Sequence, residues 1–162
     1  MNAKELQSCL ETSTAEQRRQ LLYSLQSPLD EATFDVVRGV AVDPTEYDLC
    51  RIEAIKLVGL SGVQVRDLRR RASDVLLHLA VTDKDSDVQN YSLQQLAFYT
   101  DELSLPGAVA PLIDGQDDML VSEGAFAVVC SQTTNPETET ILKSLVNHHR
   151  FGARAKRRLS GQ

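Results

Sequence analysis

The chain has no tryptophan, and aromatic residues are only 5% of its 162 positions. That scarcity suits a helical core of leucine, valine and alanine better than a β-sandwich, whose strands favour aromatic and β-branched side chains. Cysteine is nearly absent too. Cys9, Cys50 and Cys130 lie far apart and match no Cys-x-x-Cys ligand or redox spacing. Cys50 and Cys130 fall on apolar helical faces, where free cysteine acts as a small hydrophobe. Long apolar runs are missing. Val75–Val81, with His78 inside it, is about seven residues, against the roughly 20 that a membrane helix needs. The opening MNAKELQSCLE contains no apolar h-region, so no signal peptide is expected and the cytoplasm is the expected compartment.

The signatures of catalysis are absent as well. The chain holds no Gly-x-Ser-x-Gly, no His-Glu-x-x-His, no Walker loop and no dinucleotide fingerprint, the patterns that place nucleophiles, zinc ligands or phosphate cradles. His78 sits in an apolar stretch and reads as a core or edge histidine. His148 and His149 are adjacent, so they cannot face one metal from the same side of a helix. The expectation is a non-enzymatic protein with no metal and no cofactor.

What is present is repetition. In Asp83–Thr100, DKDSDVQNYSLQQLAFYT, acidic and serine residues offer N-cap oxygens. Behind them Val88, Ser92, Leu96 and Tyr99 recur at helical spacing. The same grammar returns from Asp43 and from Asp114. Cys50, Val88 and Val121 take equivalent places, with Ala54, Ser92 and Ala125 four residues on and Val58, Leu96 and Val129 eight on. The intervals, 50 to 88 and 88 to 121, are 38 and 33 residues, the length of a helical-hairpin repeat.

In chain order the pattern predicts helices over Ala3–Leu10 and Ala15–Gln26, the second with Arg18 and Arg19 in water. Asp30 opens a third, ended by Asp43-Pro44. Tyr47–Leu60 follows, closed by Gly59 and the Ser61-Gly62 pair. Leu68–Val81 precedes the capped stretch, which closes near Asp101. Pro106-Gly107 breaks the chain before a short helix, Val109–Ile113. Asp117–Gln132, Glu137–Asn147 (after an Asn135 cap and N1 proline) and a short basic Ala153–Leu159 complete it. No convincing period-two strand occurs. The reading is all-α: about ten helices in five hairpins, stacked as one α-solenoid domain over residues 1–162, because a lone hairpin cannot bury its apolar face.

In sequence and spacing this resembles the HEAT-like repeats, particularly the short bacterial form of phycobilisome lyases. The pattern there is an aspartate turn, then Val-Arg, then alanine three residues after the arginine. Cys50-Arg51 with Ala54 matches it best. Val88-Gln89 with Ser92 and Val121-Ser122 with Ala125 lack the arginine. The resemblance implies a concave row built from the second helix of each hairpin. On that row the helical wheel places Asn90, Tyr91 and Gln94 away from the core, with Ile52, Glu53 and Lys56 one repeat earlier and Glu123, Gly124 and Ala127 one repeat later.

Charge narrows the partner. The net charge is −6, and between Ala72 and His149 two lysines face twelve acids. An acidic surface of this kind attracts a basic protein and speeds docking. It argues against a nucleic-acid groove along that half. The basic exceptions are Arg66–Arg71 and Arg150–Arg158. Arg69–Arg71 read as the wet side of one helix and the tail as a polar terminal cap, the alternative being phosphate contact by both clusters. The expected function is protein binding, in the form of an immunity or antitoxin-type inhibitor of a basic toxin. The alternatives are a bilin lyase or lyase subunit, as the resemblance implies, and a nucleic-acid binder using the arginine clusters. The sequence sets no oligomeric state.

Overall fold

Helix starts are set by side-chain caps. In the computed structural model, which describes residues 1–100, 104–115, 118–133 and 135–161, Asn2 and Thr14 form capping boxes with Glu5 and Gln17. Asp30, Asp85, Asp118 and Asn135 each accept hydrogen bonds from the first-turn N–H groups behind them. Such caps satisfy donors that a helix start otherwise leaves without partners. The helices are α1 (Ala3–Thr12), α2 (Ala15–Ser24), α3 (Glu31–Val42), α4 (Asp48–Gln64), α5 (Arg66–Thr82), α6 (Ser86–Leu96), α7 (Leu105–Val109), α8 (Pro111–Asp114), α9 (Met119–Ser131), α10 (Pro136–Ser144) and α11 (Gly152–Leu159). No strand occurs among the described residues.

The packing order makes this an α-solenoid. Hairpins pair α1 with α2, α3 with α4, α5 with α6, α7 with α9, and α10 with α11. A first row runs α1, α3, α5, α7, α10, each helix touching the next in the row. The second row runs α2, α4, α6, α9 in the same way. It ends on α11, whose N-cap Phe151 stacks on Phe126 of α9 with ring centroids 4.7 Å apart. One continuous hydrophobic cluster lies between the rows. All nine register positions read from the sequence are fully buried: Cys50, Val88 and Val121, then Ala54, Ser92 and Ala125, then Val58, Leu96 and Val129. No helix among the described residues is long and apolar enough to cross a membrane.

Several boundaries differ from expectation, each for a packing reason. Gly59 and Ser61-Gly62 do not end α4, which continues to Gln64. A Cβ at Gly59 would strike the Gln95 side chain, and one at Gly62 would meet Tyr99 and Ala72. These glycines let α4 approach α5 and α6, and that packing outweighs their low helix propensity. Pro106 does not break the chain; it sits in the first turn of α7, where a missing N–H costs nothing. Arg18 is not left in water but joins Glu46, with 24% of its side chain exposed. His78 is exposed rather than core. The helix expected to close near Asp101 ends at Leu96, with Ala97 as its C-cap, and the expected start at Asp117 lies outside the described residues.

Two sets of side chains lock hairpin to hairpin. Arg18 and Arg51 each stand four residues past the N-cap of their helix. Arg18 donates to Glu46 and to the Ser13 carbonyl; Arg51, 3% exposed, donates to Asp83 and to the Ala41 carbonyl. Further along the same helices, Ser61 accepts from the Leu29 N–H at 3.1 Å. Tyr99 donates its hydroxyl to the Gly59 carbonyl at 2.9 Å, and Gln132 donates to the Tyr99 carbonyl. Each of these three residues is essentially buried; Tyr99 and Gln132 bond to backbone of the preceding hairpin, and Ser61 to the linker between α2 and α3.

Candidate functional site

A helix in the second row is covered by its hairpin partner and by a row neighbour on either side, so only a narrow line reaches solvent. On α4 that line is Leu49, Glu53, Lys56, Leu60 and Val63; on α6 and the turn after it, Asp87, Tyr91, Gln94 and Phe98. On α9 it is Leu120, Glu123, Gly124 and Ala127. The spacing of three and four residues keeps each set on one face.

The structure brings most of the expected row together. Lys56 Nζ lies 3.0 Å from Glu53 Oε1 and 5.1 Å from the Tyr91 ring centroid, so a cation–aromatic contact ties α4 to α6. Gln94 is exposed one turn further along α6. Gly124 packs on α6, where an added Cβ would lie 3.0 Å from Leu93 Cβ and 3.6 Å from Asn90 Oδ1. Glu123 pairs with Arg154 of α11, and Arg154 stacks 4.6 Å from the Phe126 centroid.

Two expected members do not belong to the surface. Ile52 is 5% exposed and Asn90 8%. Both fall on flanks of the buried arc, which neighbours on three sides widen beyond the single stripe that the wheel assumed. The wheel also missed the apolar members. Leu60 follows Lys56 by four residues and Phe98 follows Gln94 by four; continuing the solvent line past its polar residues finds them.

The basic clusters have separate roles. Arg71 spans from α5 to Glu31 and Asp35 on α3 and lies over the Phe34 ring. Arg69 lies over the Tyr99 ring, 4.9 Å from its centroid. Arg69 and Arg71 are therefore not the wet side of a helix; they bolt α5 to its neighbours. His148 Nδ1 accepts from the Arg150 and Phe151 N–H groups, which leaves its proton on Nε2, facing Asp114 at 2.6 Å. The imidazole thereby pins the start of α11 to the end of α8.

Burial pushes the Asp83 carboxyl up, but hydrogen bonds from Arg51 and from the Asp85 and Lys84 N–H groups hold it below the usual carboxylate range. Burial raises the Cys50 and Cys130 thiols, so both favour the neutral form. Among the described residues no group of three or more His, Cys, Asp or Glu side chains is placed to hold a metal ion.

The chain matches no protein-family model and no curated protein. It is similar to a solved crystal structure of an engineered protein, with a TM-score of 0.65 and 16% identity over 98% of this chain and 78% of that one. At that identity the likeness concerns the fold alone.

Proposed function

We propose that this chain is a HEAT-like protein-binding module, without catalytic activity, whose second helix row docks a basic partner. The observation that carries the reading is where large apolar side chains meet water. Of the eleven such exposed side chains among the described residues, Tyr23, Tyr47, Leu49, Leu60, Val63, Phe98, Met119 and Leu120 belong to the second row and its flanking turns. Only Met1, Val42 and Val81 lie elsewhere. Exposed apolar side chains gathered on one face mark an interaction surface.

Tyr91 stands at the middle of this face, ringed by Glu53, Lys56 and Gln94, with an apolar body and a polar tip suited to an anchor. Asp48 and Asp87 are exposed on the same row, and no cation pairs with them among the described residues. They add to the acidic field of residues 72–149, and such a field favours encounter with a basic protein. A stoichiometric inhibitor of a basic toxin, of the immunity or antitoxin kind, is the form that fits small size and acidity.

Capture from the source cell on the immobilised chain, read by mass spectrometry, tests the proposal. Basic proteins should be retained. Tyr91→Ala and Phe98→Ala should each weaken retention by about 2 kcal/mol, or roughly thirtyfold, while the thermal midpoint stays close to that of the parent. Equal retention by both variants would overturn the reading.

A further inference from the structure

We propose that the hollow between α9 and α11 binds a small phosphate monoester through Arg154, Arg157 and Arg158. Positions 154, 157 and 158 fall on one side of α11 by their three- and four-residue spacing. They line a hollow of about 290 Å³ whose remaining walls are Phe126 and Cys130. Two of the three guanidinium groups are held in place. Arg154 is fixed by Glu123 and by stacking on Phe126 at 4.6 Å and Phe151 at 5.8 Å. Arg158 donates one N–H to the Cys130 carbonyl at 2.8 Å, which leaves its other donors available. Arg157 is exposed and meets no carboxylate among the described residues.

Charge and geometry select the ligand. One carboxylate, Glu123, faces three guanidinium groups, leaving an excess of two positive charges. A carboxylate ligand brings one charge and two oxygens, enough for a single fork. A phosphate monoester brings close to two charges and three acceptor oxygens near neutral pH, which matches three planar donors. A polynucleotide fits less well. Phe126 and Phe151 are too buried, at 2% and 0% exposure, to stack bases. The site shares Glu123 with the row proposed for partner docking but not Tyr91, and its Glu123–Arg154 pair offers an internal control.

The test is a phosphorus NMR titration of phenyl phosphate with the full chain, repeated with benzoate as a competitor and with a duplex DNA. The phenyl phosphate signal should shift saturably, and benzoate should bind at least about tenfold more weakly. Arg157→Gln should weaken phenyl phosphate by about fivefold without lowering the thermal midpoint. Glu123→Gln, which releases Arg154, should tighten it, an outcome that a purely structural arginine would not give. No saturable shift up to ~10 mM ligand, or identical binding by Arg157→Gln, would overturn the proposal. So would salt-sensitive DNA binding lost in Arg157→Gln while phenyl phosphate leaves no signal.

Discussion

In the first half of the solenoid, the residue four places past each second-row cap is an arginine that reaches forward to an acid ahead of the next second-row helix: Arg18 to Glu46, Arg51 to Asp83. In the second half the same register holds Gln89, Ser122 and Ala155, all buried. At that register the seams are neutral, and the charged contacts of this half, Glu123 with Arg154 and Asp114 with His148, lie outside it. Gly124 lets α9 close onto Leu93 and Asn90, Gln132 bonds the Tyr99 carbonyl, and Phe151 stacks on Phe126. At this one register the architecture is thus held by ionic rungs at one end and by close neutral packing at the other. The rungs need partners to offset the desolvation of buried charge, whereas the neutral seams need only small residues and shape.

This contrast gives its largest test at Arg51. Arg51→Ala leaves Asp83, with 12% of its side chain exposed, without its counter-ion, and loss of one partner from a buried pair costs about 3–5 kcal/mol. Gln89→Ala at the same register should cost only about 1 kcal/mol, an ordinary substitution. Urea unfolding of both variants measures the difference, and equal losses would erase the distinction between the halves. Next in size is Gly62→Ala. The new methyl meets Ala72 and Tyr99, and overpacking of this kind costs about 1–3 kcal/mol. A neutral or stabilising result would mean that the α4–α5 seam has room that its geometry denies. Tyr99→Phe should cost about 1 kcal/mol, the worth of one buried hydrogen bond, because the ring remains and the Gly59 carbonyl loses only its hydroxyl donor. Hydrogen exchange should locate that loss in α4 and α6.

How much of this could be read from the sequence follows from which forces are local. The buried stripe is periodic, so Cys50, Val88, Val121 and their fourth and eighth followers identify themselves. Caps are local as well: Asp30 and Asn135 lie within three residues of the donors they satisfy. Gly59 and Gly62 misled because their reason is a neighbour 36 or 37 residues away, at Gln95 and Tyr99. Ile52 and Asn90 misled because a helical wheel knows one buried face, and a second-row helix has neighbours on three. Arg18 was hidden by Gln17, a polar residue where the other repeats carry Cys50, Val88 or Val121. Counting from the cap, rather than from the apolar stripe, is the signal that finds it. The solvent line of the second row was half legible: Glu53, Lys56, Tyr91, Gln94 and Glu123 reach solvent as expected, and its apolar members fell outside the polar pattern used to draw it.

The smallest expected effect is a change with pH, and it depends on the sign of the Asp83 shift. Its folded-state carboxyl titrates below the ordinary value of 3.8, so the unfolded chain binds a proton first as pH falls. The stability that Asp83 contributes is therefore fully present above pH 4 and is lost as pH drops through the lower, folded-state value. In Arg51→Gln the strongest hydrogen-bonding cause of that lowering is gone, while burial still opposes the charged form. Protonation then relieves the variant while it costs the parent. The stability gap between the two should be widest near neutral pH and should narrow below about pH 4. Paired urea unfolding at pH 7 and at about pH 3 measures it, with Gln89→Ala as the reference that carries no ionic rung. A gap that stays constant into acid would mean that Arg51 acts through packing and its bond to the Ala41 carbonyl. The two halves of the solenoid would then differ in shape rather than in charge.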